Sequence, residues 1–126
     1  MIKILIVDDS VFSQRMTSNV LKKCLAQSEI YFAGDGWEGL KKYQEKKPDY
    51  IFVDLLMPGL DGHGLIKLIK EYDPSANIIV VSADVQNQVR EEMEKHHIIT
   101  FINKPFTEEK AQIICNMMKE RDNGKP

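Results

Sequence analysis

The run Ile2-Lys3-Ile4-Leu5-Ile6-Val7-Asp8-Asp9 decides the fold. Apart from Lys3, its first six residues are apolar with no polar alternation, which predicts a strand covered on both faces, as in a parallel sheet. The run is far shorter than the roughly 18 to 20 residues of a membrane span. It also meets Asp8 and Asp9 with no small-residue cleavage site, so it does not read as a secretion signal. Comparable β-branched runs follow at Glu29 to Ala33, Tyr50 to Val53, Asn77 to Val81 and Ile99 to Ile102.

Between these runs the sequence takes on helical period. A first helix is expected to turn Val11, Phe12, Met16, Val20, Cys24 and Leu25 inward. A second starts at Asp35, which has capping-box spacing to Glu38, and stops before Pro48. A third covers Gly62 to Tyr72, bounded by Asp73-Pro74, and a fourth covers Val85 to His96 with Asp84 as N-cap. The last opens near Thr107 and points Ala111, Ile114, Cys115 and Met118 inward. Strands alternating with helices imply right-handed crossovers and a doubly wound α/β sheet. The expected organisation is one domain over residues 1–121, with 122–126 as a tail or the start of a linker.

The 126 residues suffice for one domain with a full core. A content of 43% apolar and 29% charged residues is ordinary for a globular chain, and a net charge of -2 provides no field to attract nucleic acid. No membrane association and no direct nucleic-acid binding are expected. Cys24 and Cys115 lie far apart, each among apolar residues, and read as two buried thiols in a reducing cytoplasm.

In an open α/β sheet, ligands bind beyond the carboxyl ends of the strands, at the switch point in strand order. Here the first strand runs into Asp8-Asp9, the third into Asp54, the fourth into Ser82-Ala83 and the fifth into Asn103-Lys104-Pro105. Carboxylates, a hydroxyl and an ammonium thus converge on one rim. Asp8 and Asp9 could simply favour the start of the first helix. One aspartate would do for that, and a pair matched by Asp54 on another strand points instead to a hard cation such as Mg²⁺. A carboxylate can also attack phosphorus, a transfer that needs alignment and charge neutralisation. Lys104 would supply charge, while the Ser82 hydroxyl and the Ala83 backbone N–H would donate hydrogen bonds to the phosphoryl oxygens.

Taken together, Asp8-Asp9, the run from Asp54 through Leu55-Leu56-Met57-Pro58-Gly59-Leu60-Asp61 to Gly62, Ser82-Ala83, and Phe101-Ile102-Asn103-Lys104-Pro105-Phe106 resemble the receiver domain of bacterial two-component response regulators. The likeness covers residues 1–120 and is greatest to the single-domain chemotaxis regulators. It implies a (βα)₅ fold with flavodoxin-like strand order 2-1-3-4-5. Asp54 would be the phosphoacceptor; Asp9, Asp8, Asp54 and the Leu56 carbonyl would hold Mg²⁺; Ser82, Ala83 and Lys104 would touch the phosphoryl group. The Lys104–Pro105 bond is expected to be cis, with Ser82 and Phe101 forming the switch. The implied partners are a histidine kinase or phosphotransfer protein, and a downstream protein on the face of the fourth helix, fifth strand and fifth helix. Such a domain catalyses its own phosphorylation and dephosphorylation and is not a turnover enzyme. A phosphorelay intermediate and a receiver cut from a longer DNA-binding regulator are the alternatives within the class.

Some positions depart from the family pattern. His97-Ile98 stands where Gly-Ala is usual and would fill the junction before the fifth strand. Gly39 stands where Ala is common, costing about 1 kcal/mol of helix propensity. Leu56 and Asp84 flank the phosphoryl site at positions that tune hydrolysis. His63, His96 and His97 read as surface residues rather than metal ligands, and Trp37 as partly buried. Met57, Met93, Met117 and Met118 read as core or adaptable surface. Ile113 and Met117, four apart on the last helix, are offset from its inward face and could mark a partner surface. An aspartyl phosphatase would carry Asp-x-Asp, whereas Leu55 and Leu56 follow Asp54. A flavin module would need a phosphate-binding loop where Asp8 and Asp9 stand.

Overall fold

Every residue of Tyr50–Val53 and Ile78–Ser82 is buried, which requires cover on both sides of the sheet. The computed structural model describes residues 1–83 and 86–123, leaving out the side chains of 87, 122 and 123. Along the chain run β1 (Lys3–Val7), α1 (Val11–Cys24), β2 (Glu29–Ala33), α2 (Gly36–Lys46), β3 (Tyr50–Val53), α3 (Gly62–Tyr72), β4 (Ile78–Ser82), α4 (Asn87–Glu94), β5 (Thr100–Asn103) and α5 (Glu108–Asn123). The sheet is parallel throughout, in the order β2-β1-β3-β4-β5. The expected fold class and strand order are what the structure shows. The order reverses at β1, so a crevice opens between the carboxyl ends of β1 and β3.

The strand period of two divides the core. Leu5, Val7, Ile51, Val53, Ile78 and Val80 face Tyr43 of α2, Leu65, Ile66 and Ile69 of α3, and Met93 of α4. Ile4, Ile6, Tyr50, Phe52, Ile79 and Val81 face Leu21 of α1 and Ala111, Ile114, Cys115 and Met118 of α5. Val7 pairs with Val53, and Asp54 N–H donates to the Val7 carbonyl at 3.0 Å. That register sets Asp8 and Asp54 side by side. Helix α2 is capped as its sequence predicts, with Asp35 accepting from Glu38 N at 2.8 Å, and Asp61 caps α3 by accepting from Gly64 N at 2.9 Å. Gly39 has a packing reason, since a Cβ there would lie 3.0 Å from a Val7 methyl and 3.2 Å from Leu65.

Several expectations need correcting. The inward face of α1 is Gln14, Thr17 and Leu21, while Val11, Phe12 and Met16 are exposed. Gln14 turns inward because its amide donates to the Asp8 and Ala33 carbonyls. Trp37 is 63% exposed, not partly buried, because it opens α2 on the side away from the sheet. Helix α5 runs from Glu108 through Asn123. Helix α4 is shorter than expected, from Asn87 to Glu94, and the Asp84 cap and Val85 start lie outside the described residues. The two cysteines are not free thiols: Cys24 and Cys115 form a disulfide. Their separation of 91 residues hid this, because packing of α1 on α5 brings their Cα atoms to 6.3 Å, within disulfide reach.

His97 does not fill the junction before β5. It is exposed and takes the left-handed conformation at φ 56°, while Ile98 packs partly buried against the core. A side chain in that region costs about 1–2 kcal/mol, and glycine returns part of the gain as unfolded-state entropy. His97→Gly is therefore expected to raise stability by about 0.5 kcal/mol. A urea midpoint equal to or below the wild-type value would refute this.

Candidate functional site

The rim chemistry begins with strand ends. Asp8 directly follows β1 and is 4% exposed, Asp54 directly follows β3 and is 6% exposed, and Asp9 is exposed. One oxygen from each of these carboxylates lies within 4.8 Å of the others. Two buried like charges so close require a cation or a proton. Lys104 supplies part of the answer: its Nζ donates to Asp54 Oδ2 at 2.8 Å and to Asp8 Oδ2 at 3.1 Å. Burial acts to lower the Lys104 pKa, but its hydrogen bonds to Asp54 and Asp8, and their charges, act the other way and prevail. The ammonium thus stands above its ordinary range and stays charged at neutral pH.

Backbone donors orient the carboxylates. Asp54 Oδ1 accepts from Leu56 N–H at 3.0 Å, and Asp8 Oδ1 accepts from Ser10 N–H at 2.9 Å. Ser10 also caps α1 by accepting from Ser13 N. Asp54 is therefore held at both oxygens, with one approach taken by an N–H and the other by an ammonium. Leu56 points outward, 55% exposed beside the acceptor.

Ser82 is fully buried at the end of β4, opposite Asn103 of β5, and the Lys104 N–H donates to the Ser82 carbonyl at 2.9 Å. The β4 and β5 ends are thus joined by the backbone beside the acceptor. Ala83 follows at an exposed bend. The Lys104–Pro105 peptide is cis, as expected. Phe101 is half-buried against the α2–α4 side of the core, and the Arg90 guanidinium carbon stands 5.5 Å from its ring centroid. Asp8, Asp9, Asp54 and Lys104 are thus brought together, with Ser82 tied to Lys104 through the backbone; Phe101 sits two residues before the Ser82-paired position, on the same strand. Asp84 lies outside the described residues.

Two supporting residues escape sequence reading. Gln14 Nε2 donates to the Asp8 carbonyl at 2.7 Å and to the Ala33 carbonyl at 3.2 Å, pinning the Asp8-Asp9 turn to the end of β2. Its only sequence signal is its spacing with Thr17 and Leu21 on one helical face. Lys110 Nζ donates to the carbonyls of Asn103 at 2.8 Å and Pro105 at 3.2 Å, bracing the loop that carries Lys104. No motif marks it. The three histidines do not gather: the one group of acidic, His or Cys residues found among the described residues that could hold a metal is Asp8, Asp9 and Asp54.

The profile of the response regulator receiver domain matches residues 4–116. The chemotaxis protein CheY of Listeria monocytogenes is 38% identical over 110 residues, covering 84% of this chain and 88% of that protein. A protein-glutamate methylesterase/protein-glutamine glutaminase of Geobacter sulfurreducens is 34% identical over 104 residues, and that match spans only 28% of its length. Among solved structures, a CheX–CheY–BeF₃–Mg complex from Borrelia burgdorferi superposes with a TM-score of 0.84 at 30% identity, covering 94% of this chain and 88% of that one. No helix among the described residues is long and apolar enough to cross a membrane.

Proposed function

The chain belongs to the response regulator receiver domain family, and from that membership we propose that it takes a phosphoryl group onto Asp54 from a phosphohistidine donor and signals by altered protein binding. The observation that carries this reading is the Lys104 ammonium spanning the Asp54 and Asp8 carboxylates, with Asp9 in the same cluster. Asp54, fixed through Leu56 N–H and Lys104, is the nucleophile. Its oxygen forms the new bond to phosphorus as the donor's nitrogen–phosphorus bond breaks, and the imidazole nitrogen keeps the electron pair. Lys104, released from part of its contact with the carboxylate, follows the charge onto the phosphoryl oxygens. Ser82 and the Ala83 N–H donate to those oxygens, and Phe101 turns with them.

The all-oxygen donor set at the cluster fits a hard divalent cation. Asp8, Asp9, Asp54 and the Leu56 carbonyl would hold Mg²⁺, which when bound would neutralise charge on the transferring group. The chain is a self-phosphorylating and self-dephosphorylating switch rather than a turnover enzyme, and it works in the cytoplasm. A histidine kinase or phosphotransfer protein is the donor. Exposed Phe12 and Met16 line a 380 Å³ apolar groove with Pro105 and Phe106, next to Lys104, where such a donor would dock. The output face is α4, β5 and α5, where Ile113, 65% exposed, and Met117 border a 280 Å³ groove with Phe101. Likeness to a CheY along most of that protein's length supports a chemotaxis-type role.

The test is intact mass after incubation with acetyl phosphate. One phosphoryl group is expected with Mg²⁺, and none once EDTA removes the metal. A wild-type chain that gains nothing with Mg²⁺ would overturn the reading.

A further inference from the structure

The disulfide between Cys24 and Cys115 has no part in phosphoryl chemistry, yet it joins the two helices on one face of the sheet. Its two sulfurs are unlike. Cys115 is fully buried, whereas Cys24 is half-buried and borders a 460 Å³ cleft with Met1, Ile2, Leu25, Ser28 and Lys119. A small molecule can therefore approach Cys24 but not Cys115. The environment also suits the reduced form, because the Leu21 carbonyl oxygen lies 3.5 Å from Cys24 Sγ and can accept the S–H of a thiol. Apolar neighbours, Ala111, Ile114 and Met118, suit a buried Cys115 thiol equally well.

We propose that Cys24 and Cys115 form a reversible thiol–disulfide site that exchanges with low-molecular-weight thiols through the Cys24 cleft. In the reducing direction, a small thiolate attacks Cys24 Sγ, a mixed disulfide forms there, and Cys115 leaves as a thiolate that takes a proton. A second small thiol attacks the mixed disulfide at its non-protein sulfur, releasing Cys24 and one small-molecule disulfide. Two electrons and two protons pass to the protein, and the reverse sequence consumes one small-molecule disulfide. This reconciles a cross-link with a chain expected to work in a reducing compartment.

The site acts on stability and not on the acceptor. Cys24 lies about 15 Å further along the axis of α1 than Gln14, the residue that touches the Asp8 turn. Cross-linking two points 91 residues apart restricts the unfolded chain strongly. The oxidised form is therefore expected to melt about 10 °C above the reduced form. Initial rates of labelling by acetyl phosphate should agree within about twofold between the two forms.

The whole chain would be equilibrated at graded ratios of reduced to oxidised glutathione, acid-quenched, denatured in excess N-ethylmaleimide and weighed. A single transition from no alkylated cysteine to two, together with the melting shift and matched labelling rates, is the expected result. In oxidised glutathione, Cys115→Ala should accept one glutathione at least tenfold faster than Cys24→Ala. Two alkylated cysteines at every ratio, a cross-link between chains, a disulfide that no ratio reduces in the native protein, or faster adduct formation on Cys24→Ala would each overturn the proposal.

Discussion

Replacing Asp54 with asparagine is expected to abolish uptake of a phosphoryl group while leaving the domain folded. The amide is a poor nucleophile, so the loss should be complete on the scale of intact mass. Two effects on stability oppose each other. The asparagine oxygen can serve only one of the two donors at this position, Leu56 N–H or Lys104 Nζ, so the NH₂ group then faces a donor. That mismatch costs about 1–3 kcal/mol. Against it, one of three clustered negative charges disappears, relieving repulsion with Asp8 and Asp9. The net change should stay within about 2 kcal/mol, small enough to keep the chain folded. Lys104 loses its foremost partner and its pKa should fall toward the ordinary lysine range. A phosphoryl group still gained by Asp54→Asn would move the acceptor to Asp8 or Asp9.

The strands were legible because burial on both faces leaves a plain mark, a β-branched run such as Ile78-Ile79-Val80-Val81 with no polar interruption. The rim was legible for a related reason: in this topology every strand ends on the same side, so whatever follows each strand must meet. Asp8, Asp54 and Lys104 needed no distance information beyond that rule. The errors fall where hydrophobicity and burial part company. Val11, Phe12 and Met16 are apolar, and their helical spacing predicts an inward face. The inward face is instead governed by the Asp8 carbonyl, to which Gln14 donates, while the same amide adds a second hydrogen bond to the Ala33 carbonyl already bonded by Asp8 N–H. The apolar trio is left on the surface by the site, not by the core. The disulfide was out of reach for another reason. A sequence separation of 91 residues carries no distance, and only the packing of α1 along α5 decides which cysteines meet.

A large loss of stability is expected from Gly62→Ala, a substitution that looks harmless in sequence, at the first residue of a helix. A Cβ at Gly62 would stand 2.4 Å from the Asp54 carbonyl oxygen and 2.6 Å from the Leu55 Cα, both backbone atoms. Neither side can yield cheaply. Asp54 N–H is bonded to Val7 at 3.0 Å inside the sheet, and Gly62 N–H is bonded to the Leu55 carbonyl at 3.2 Å. If α3 withdraws, it pulls Leu65, Ile66 and Ile69, each 0% exposed, from the core. If the end of β3 withdraws, Asp54 leaves Lys104. Alanine returns at most about 1 kcal/mol of helix propensity, against an overpacking cost of about 3 kcal/mol or more. The melting temperature should fall by roughly 10 °C. Gly34→Ala is the control, because a Cβ there meets nothing within 4 Å, and it should melt at or slightly above the wild-type temperature. A Gly62→Ala chain melting within about 2 °C of wild type would show that the backbone beside the acceptor has slack. With no slack, labelling of Asp54 by acetyl phosphate should also slow at temperatures where the variant is fully folded, because the helix start and the acceptor share one backbone contact.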